Sequence, residues 1–337
     1  MNLQIITYLV FLVAFIPTCE KQYEHLEELD HYTKISLLSE DQSSEIDQSV
    51  FNYMNAYSYI SLGLIAQDGT VLIRSYGSDR IEEAEVYASV SKPVTSMIFF
   101  QMLEKGMIGS VDDSIAMYSD KYKNVMPDEY GDSPVTFKHL LSHQSGIPHH
   151  DQIWENGKLK LEFEPGTSTL YSTKAFGVLG DILCEIGNMN YNRLVSTYIG
   201  APVNAESFNA PSCLFEAPGG LVKSTISDMA LFARGILENV YVSDNLKMDL
   251  QWVPVTNDHI ADIGLGWYLT NYGTDSLEVF HAGSNGKPRA FIALRPEQHI
   301  GVVLMGKNHS AQGSQRFYEL AWDLIGKLKE FELEAGN

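Results

Sequence analysis

Strand-forming runs lie at both ends of this chain, with a mostly helical stretch between them. Tyr59 to Ala66 is apolar and rich in strand formers, Gln67-Asp68-Gly69 is a turn signal, and Val71 to Tyr76 completes a hairpin. Near the other end, the spans 263–271, 276–281, 288–295 and 300–306 have strand character and are joined by short polar turns. A last amphipathic helix carries Phe317, Leu320, Leu324 and Leu328 on one face. Between these ends the spacing is helical: Phe176, Leu179, Ile182, Leu183 and Ile186 with Gly187 as the stop, then a helix capped by Thr225 or Ser227. Strands so divided bury their edges only if the two ends pair with each other. The predicted fold is therefore α+β: one antiparallel sheet built from 50–110 and 256–332, flanked by helices, with a helical subdomain inserted at 111–255. A cleft between two such parts is the usual place for a ligand.

The chemistry concentrates in Ser89-Val90-Ser91-Lys92. Residues three apart share one face of a helix, so Ser89 and Lys92 bring their heads together. Val94, Met97, Ile98, Phe99, Phe100 and Met102 follow and are apolar on nearly every side, the pattern of a buried helix. Pro93 belongs in a first turn, which puts Ser89 at the helix start. There it meets unpaired N–H groups and the positive end of the helix dipole, an environment that favours an alkoxide or an acyl oxyanion. A desolvated lysine one turn on loses its proton readily and becomes a base. Taken by themselves, four such residues also describe a serine cap followed by a surface lysine.

The formal net charge of −20 argues against nucleic acid or an anionic membrane as partner, since both need Lys/Arg surfaces. Residues 5–16 form one apolar run, too short to span a membrane and of the length of a signal-peptide core. Cys19 follows closely, as at the lipidation site of bacterial lipoproteins. Export to the periplasm or cell envelope is expected, with 1–19 as the leader and a lipid on Cys19 as the membrane attachment. Residues 20–49 carry nine acids and two lysines, a solvated tether or loose helix ahead of a folded domain at 50–332. Cys184 sits in an apolar helical run, and the spacing leaves open whether it pairs with Cys213. His139, His143, His149 and His150 have the look of a metal cluster, but no acidic or Cys ligand groups with them, and no metal or other cofactor is expected.

Several separate segments resemble the penicillin-recognising serine hydrolases, within them the class C β-lactamase-like group, over about residues 55 to 310. Ser89-Val90-Ser91-Lys92 matches that family's first motif. Leu140-Leu141-Ser142-His143-Gln144-Ser145-Gly146-Ile147-Pro148 resembles its L-L-x-H-x-S-G-x-P segment. Pro165-Gly166-Thr167 with Tyr171-Ser172-Thr173 falls where it has P-G-x and then Tyr-x-Asn. Gly219-Gly220-Leu221 to Asp228 resembles a G-G-L-x-S-T-x-x-D stretch, and His281-Ala282-Gly283 stands where members carry Lys-Thr-Gly or His-x-Gly. The resemblance implies a β-lactamase/DD-peptidase-like fold and acyl transfer to Ser89, with Lys92 or Tyr171 as the base. It places the oxyanion between the N–H groups of Ser89 and Ser284. It gives His281 the task of holding a substrate carboxylate or orienting Tyr171, and a protonated His281 with Lys92 would let Tyr171 ionise. Gly283 would let the substrate backbone lie close to the strand, and His143 belongs to a structural loop.

Two departures from the pattern bear on substrate. Thr173 replaces the asparagine whose amide contacts the substrate amide, so one hydroxyl stands where a donor–acceptor pair is usual. His281 removes a permanent charge. Both shift the expectation toward esters and the His-x-Gly members: an ester or amide hydrolase of the esterase, D-amino-acid peptidase or β-lactamase-like kind. The rival is a binding or sensor module of the same fold that turns over little.

Overall fold

The structure is a computed structural model, and it describes residues 38–126, 128–130, 133–258, 260–309 and 314–335. The expected leader with Cys19, and the acidic stretch as far as residue 37, lie outside the described residues.

From Ser39 onward the acidic stretch is part of the folded body and not a tether. Ser39 opens helix α1 (Glu40–Met54) with a capping box: its hydroxyl accepts from the Gln42 N–H, and the Gln42 side chain accepts from the Ser39 N–H. Ile46 and Val50, one turn apart, are fully buried. Two such residues dock a helix whose other faces are acidic, so composition concealed it. The buried guanidinium of Arg74 reaches Asp47 at 2.7 Å and the Ser43 hydroxyl at 2.7 Å, fastening α1 to the sheet.

The sheet is antiparallel and eight-stranded. Its strands are β1 (Tyr57–Ile65), β2 (Val71–Tyr76), β3 (Thr256–Asn257), β4 (Asp262–Ile263), β5 (Tyr268–Thr270), β6 (Glu278–Ser284), β7 (Pro288–Arg295) and β8 (Ile300–Asn308). They lie in the order β2-β1-β8-β7-β6-β5-β4-β3. The chain's two ends meet at β1 and β8, where Leu62 opposes Leu304, as the split strand pattern requires. The strands alternate in the usual way, but both faces are covered. Ile60, Leu62, Leu64, Phe291, Val302 and Leu304 pack under α1 and α6 (Ser314–Ala335). Ile73, Ile292, Leu294, Val303 and Met305 pack toward the helical part.

Helix α5 (Ile226–Leu237), capped by the Thr225 hydroxyl on the Asp228 N–H, lies across this second face. A Cβ on Gly63 of β1 would stand 2.6 Å from the Ala230 Cβ, so glycine there sets how closely α5 approaches. Behind it, helix α2 (Ser91–Glu104) is buried at every residue from Ser91 to Met102. The helical part is completed by α3 (Phe137–Leu141), α4 (Thr173–Gly187) and shorter turns. Both described cysteines are free, Cys184 half-buried and Cys213 exposed.

Candidate active site

Ser89 sits in the single turn Ala88–Val90 that runs straight into α2. Ala88 takes φ +47°, the left-handed region that a Cβ disfavours, so the backbone is strained immediately before Ser89. Tyr87 and Val90 on either side are fully buried, while Ser89 is half-buried and faces a cleft of about 470 Å³. One wall of the cleft is the end of β6. This strand pairs with β5 only from Glu278 to Phe280, so its outer side from His281 onward has no strand partner among the described residues and lies along the Ser89 turn.

Gly283 sets that contact. A Cβ on it would stand 2.3 Å from the Tyr87 carbonyl oxygen and 3.3 Å from the Ser89 nitrogen. The glycine thus admits the turn carrying Ser89, and it also lines the cleft, where the resemblance had it admit substrate backbone. Gly283→Ala should push β6 off the Ser89 turn, with a loss of about 1–3 kcal/mol in stability from overpacking. An activity loss of about 10²-fold should accompany it, since a shift near 1 Å is enough to spoil alignment. Urea unfolding together with ester turnover measures both.

Tyr171 and Thr173 enter from the other side. Ser172 caps α4 by accepting from the Ala175 N–H, which leaves Tyr171 just outside the helix and Thr173 as its first residue. His143 holds this segment from beneath: its Nδ1 accepts from the Ser172 N–H at 3.2 Å, and its carbonyl accepts from Leu170. Its ring lies 4.4 Å from that of Tyr171. His139 and His149 likewise use Nδ1 to accept backbone N–H groups, of Thr136 and Thr173. The histidines are loop fasteners, and no group of three metal-ligating side chains occurs among the described residues.

Tyr171 lines the cleft beside Ser89, and burial raises its pKa, the Ser89 side chain offsetting part of the rise. Lys92 has no exposure at all. Its Nζ donates to the Gly219 carbonyl at 2.7 Å and to the Thr173 hydroxyl at 3.2 Å, and stands 4.6 Å from the Tyr171 ring centre. Burial pulls its pKa down to about 7, with no acid to offset the loss of water. A neutral amine has two N–H groups and one lone pair. Both donors are spent on Gly219 and Thr173, and the lone pair is left to receive a proton.

His281 departs from expectation. It is 2% exposed, packs its ring against Tyr268, and does not line the cleft. Burial first, and then the neighbouring Lys92, push its pKa down to about 3, while its Nδ1 lies 2.9 Å from the Ala282 carbonyl. It is neutral near pH 7, so it neither holds a carboxylate as a cation nor helps Tyr171 to ionise. Ser284, one residue beyond Gly283, does line the cleft, as does Thr173. Two lining residues that the sequence reading had not put there are His149 and Glu216. His149 had been weighed only as a metal ligand, and nothing in residue type distinguishes Glu216 from other surface acids.

A family model described as Beta-lactamase matches residues 60–321. Penicillin-binding protein 4* of Bacillus subtilis is 24% identical over 297 residues, covering 71% of this chain and 64% of that protein. The chain therefore matches less than two thirds of that relative's length. D-alanyl-D-alanine-carboxypeptidase/endopeptidase AmpH of Escherichia coli is 25% identical over 304 residues, covering 72% of this chain and 78% of that protein. Among solved structures, a beta-lactamase/D-alanine carboxypeptidase from Yersinia pestis superposes with a TM-score of 0.68 at 21% identity, covering 88% of this chain and 99% of the other. The octameric penicillin-binding protein homologue from Pyrococcus abyssi gives 0.63 at 19% identity, covering 80% and 73%. The last two similarities speak for the fold.

Proposed function

The chain belongs to the beta-lactamase family, and on that footing we propose that it is a serine hydrolase cleaving ester or amide bonds through an acyl intermediate on Ser89. The observation that carries this reading is a cleft-facing Ser89, beside Tyr171 in the lining, one helical turn from a wholly buried Lys92 whose pKa is drawn to about 7. Ser89 Oγ attacks the carbonyl carbon, and its proton ends on the Lys92 amine. Tyr171 stays protonated and orients the serine hydroxyl. The oxyanion rests between the backbone N–H groups of Ser89 and Ser284. Lys92 then returns the proton to the departing alcohol or amine, and water releases the acyl group by the same steps in reverse.

The names of the relatives, a penicillin-binding protein and a D-alanyl-D-alanine carboxypeptidase/endopeptidase, set the range of acyl compounds to try. The test is intact mass after incubation with a fluorophosphonate, a penicillin and an activated short-chain ester. An adduct that maps to Ser89 supports the reading, and the ester should be turned over. An adduct that forms and persists with every reagent would instead fit a binding or sensor protein. Export rests on the apolar run 5–16 and Cys19. The protein recovered from an envelope fraction should begin at or near Cys19, and recovery of an intact Met1 from the cytoplasm would overturn that part.

A further inference from the structure

The cleft carries a charge pattern that narrows the substrate. Among the described residues that line it, Glu216 is the formally charged side chain, and none is Lys or Arg. Of the cations nearby, Lys287 is exposed on the β6–β7 turn outside the lining, and the others are turned to other work. Lys92 lies beneath the floor with both contacts spent on Gly219 and Thr173. Lys174 donates to the His150 and Asp151 carbonyls. Arg289, opposite Ser284 on β7, is 3% exposed and donates to the carbonyls of Gly286 and Pro288. His281 lies under the strand, away from the cleft. A substrate carboxylate entering this cleft meets an anion and, among the described residues that line it, no matching cation.

Glu216 stands on a fixed wall. It immediately precedes the short helix Ala217–Gly220. That segment is tied to α2 by the Thr95 hydroxyl on the Pro218 carbonyl at 2.5 Å, by Lys92 on Gly219, and by the Val222 N–H on the Ser91 hydroxyl at 3.0 Å. The Glu216 carboxylate lies near enough to His149 for its charge to act on that ring. His149 accepts from the Thr173 N–H with Nδ1, so in its neutral form Nε2 carries the hydrogen and is a donor. The same wall therefore offers an anion and a neutral N–H donor beside the hydroxyl of Thr173.

We propose that Glu216 makes this cleft select acyl compounds that carry a protonated amine and reject those that carry a carboxylate. The proposal rests on the serine hydrolase reading of the same site. It separates the chain's substrates by charge from penicillins and acyl-D-alanyl peptides, which are carboxylates. Attraction of one charge and repulsion of the other at an exposed carboxylate should together separate the two classes by about tenfold, and added salt should shrink the gap.

The experiment compares kcat/KM for the phenyl esters of 6-aminohexanoic, hexanoic and adipic acid, which match in length and differ in terminal charge, following phenol release at low salt. The expected order is amine, neutral, carboxylate. Glu216→Gln should bring the amine-to-carboxylate ratio close to one, and Glu216→Lys should invert it. A wild-type preference for the carboxylate ester, or an unchanged ratio in Glu216→Gln, overturns the proposal while Ser89-dependent turnover of the esters leaves the hydrolase reading standing. Turnover of none of the three, or turnover that survives Ser89→Ala, overturns both.

Discussion

Ser89→Ala should lower kcat on any ester substrate by about 10³-fold or more, the scale at which loss of a nucleophile leaves only binding and oxyanion stabilisation. The reason lies in the division of labour at the cleft. Lys92 can accept a proton and Tyr171 can orient a hydroxyl, but with an alanine at position 89 neither has a nucleophile to act on. The fold should not register the change. Ser89 is half-buried, and its side chain faces the cleft beside Tyr171. Losing a hydroxyl beside an open cleft costs at most one hydrogen bond, about 0.5–1.5 kcal/mol, which water entering the cleft reduces further. The melting temperature should therefore move by only a few degrees, on the usual scale for a change of this size. Fluorophosphonate labelling, followed by intact mass, should disappear together with turnover. A folded Ser89→Ala protein that still hydrolyses the ester at the parent rate would remove the acyl-serine mechanism.

The architecture was legible because it depends on periodicity, which is local. The strand runs at 59–76 and 288–306 had to meet, and Leu62 opposite Leu304 is where they do. The run after Ser89 is apolar on every side, and α2 is buried on every side. The resemblance, not residue spacing, put Ser89, Lys92, Tyr171 and Thr173 in one neighbourhood, where Lys92 reaches the Thr173 hydroxyl and the Tyr171 ring. What could not be read is burial imposed by distant residues. His281 is neutral because Tyr268 and the surrounding core exclude water from it, and nothing in His281-Ala282-Gly283 encodes that cover. Gly283 is needed for the Tyr87 carbonyl, a partner far away in sequence. Helix α1 was read as a solvated tether or loose helix outside the folded domain because, among its acids, Ile46 and Val50 are the apolar residues that mark its buried face. The choice between Lys92 and Tyr171 as base was open for the same reason. Burial moves the two in opposite senses, raising the phenol and lowering the amine, and depth of burial is a tertiary property.

Lys92→Met should abolish most of the activity and at the same time make the protein more stable at neutral and acidic pH. The two halves come from one cause. In the folded protein the Lys92 pKa is about 7, against 10.5 for an ordinary lysine. Below pH 7 the amine is charged in both the folded and the unfolded chain, and folding must bury the full charge. Between pH 7 and 10.5 the unfolded chain holds a proton that the folded chain has released, so wild-type stability rises with pH across this window. The displacement corresponds to roughly 4–5 kcal/mol of destabilisation at low pH. Methionine fills nearly the same volume without a charge, but it leaves the Gly219 carbonyl unpaired, at a cost of about 1–3 kcal/mol. The net gain should be about 2 kcal/mol at pH 6, vanish near pH 9 and turn into a loss of about 1 kcal/mol toward pH 10, where wild type no longer carries the buried charge, and urea unfolding at several pH values reads it. Activity moves the other way. Wild-type kcat/KM should climb as the amine loses its proton near pH 7 and level off above it, whereas the Met variant should fall by about 10²–10⁴-fold and lose that rising limb. A variant that is both less active and, at pH 6, less stable would mean that Lys92 is held charged and serves the fold. A variant with a parent-like limb near pH 7 would assign the titration to another group. Activity lost while stability is gained is the combination that only a deliberately desolvated base produces, because a lysine kept for structure would not be stationed where its own charge opposes folding.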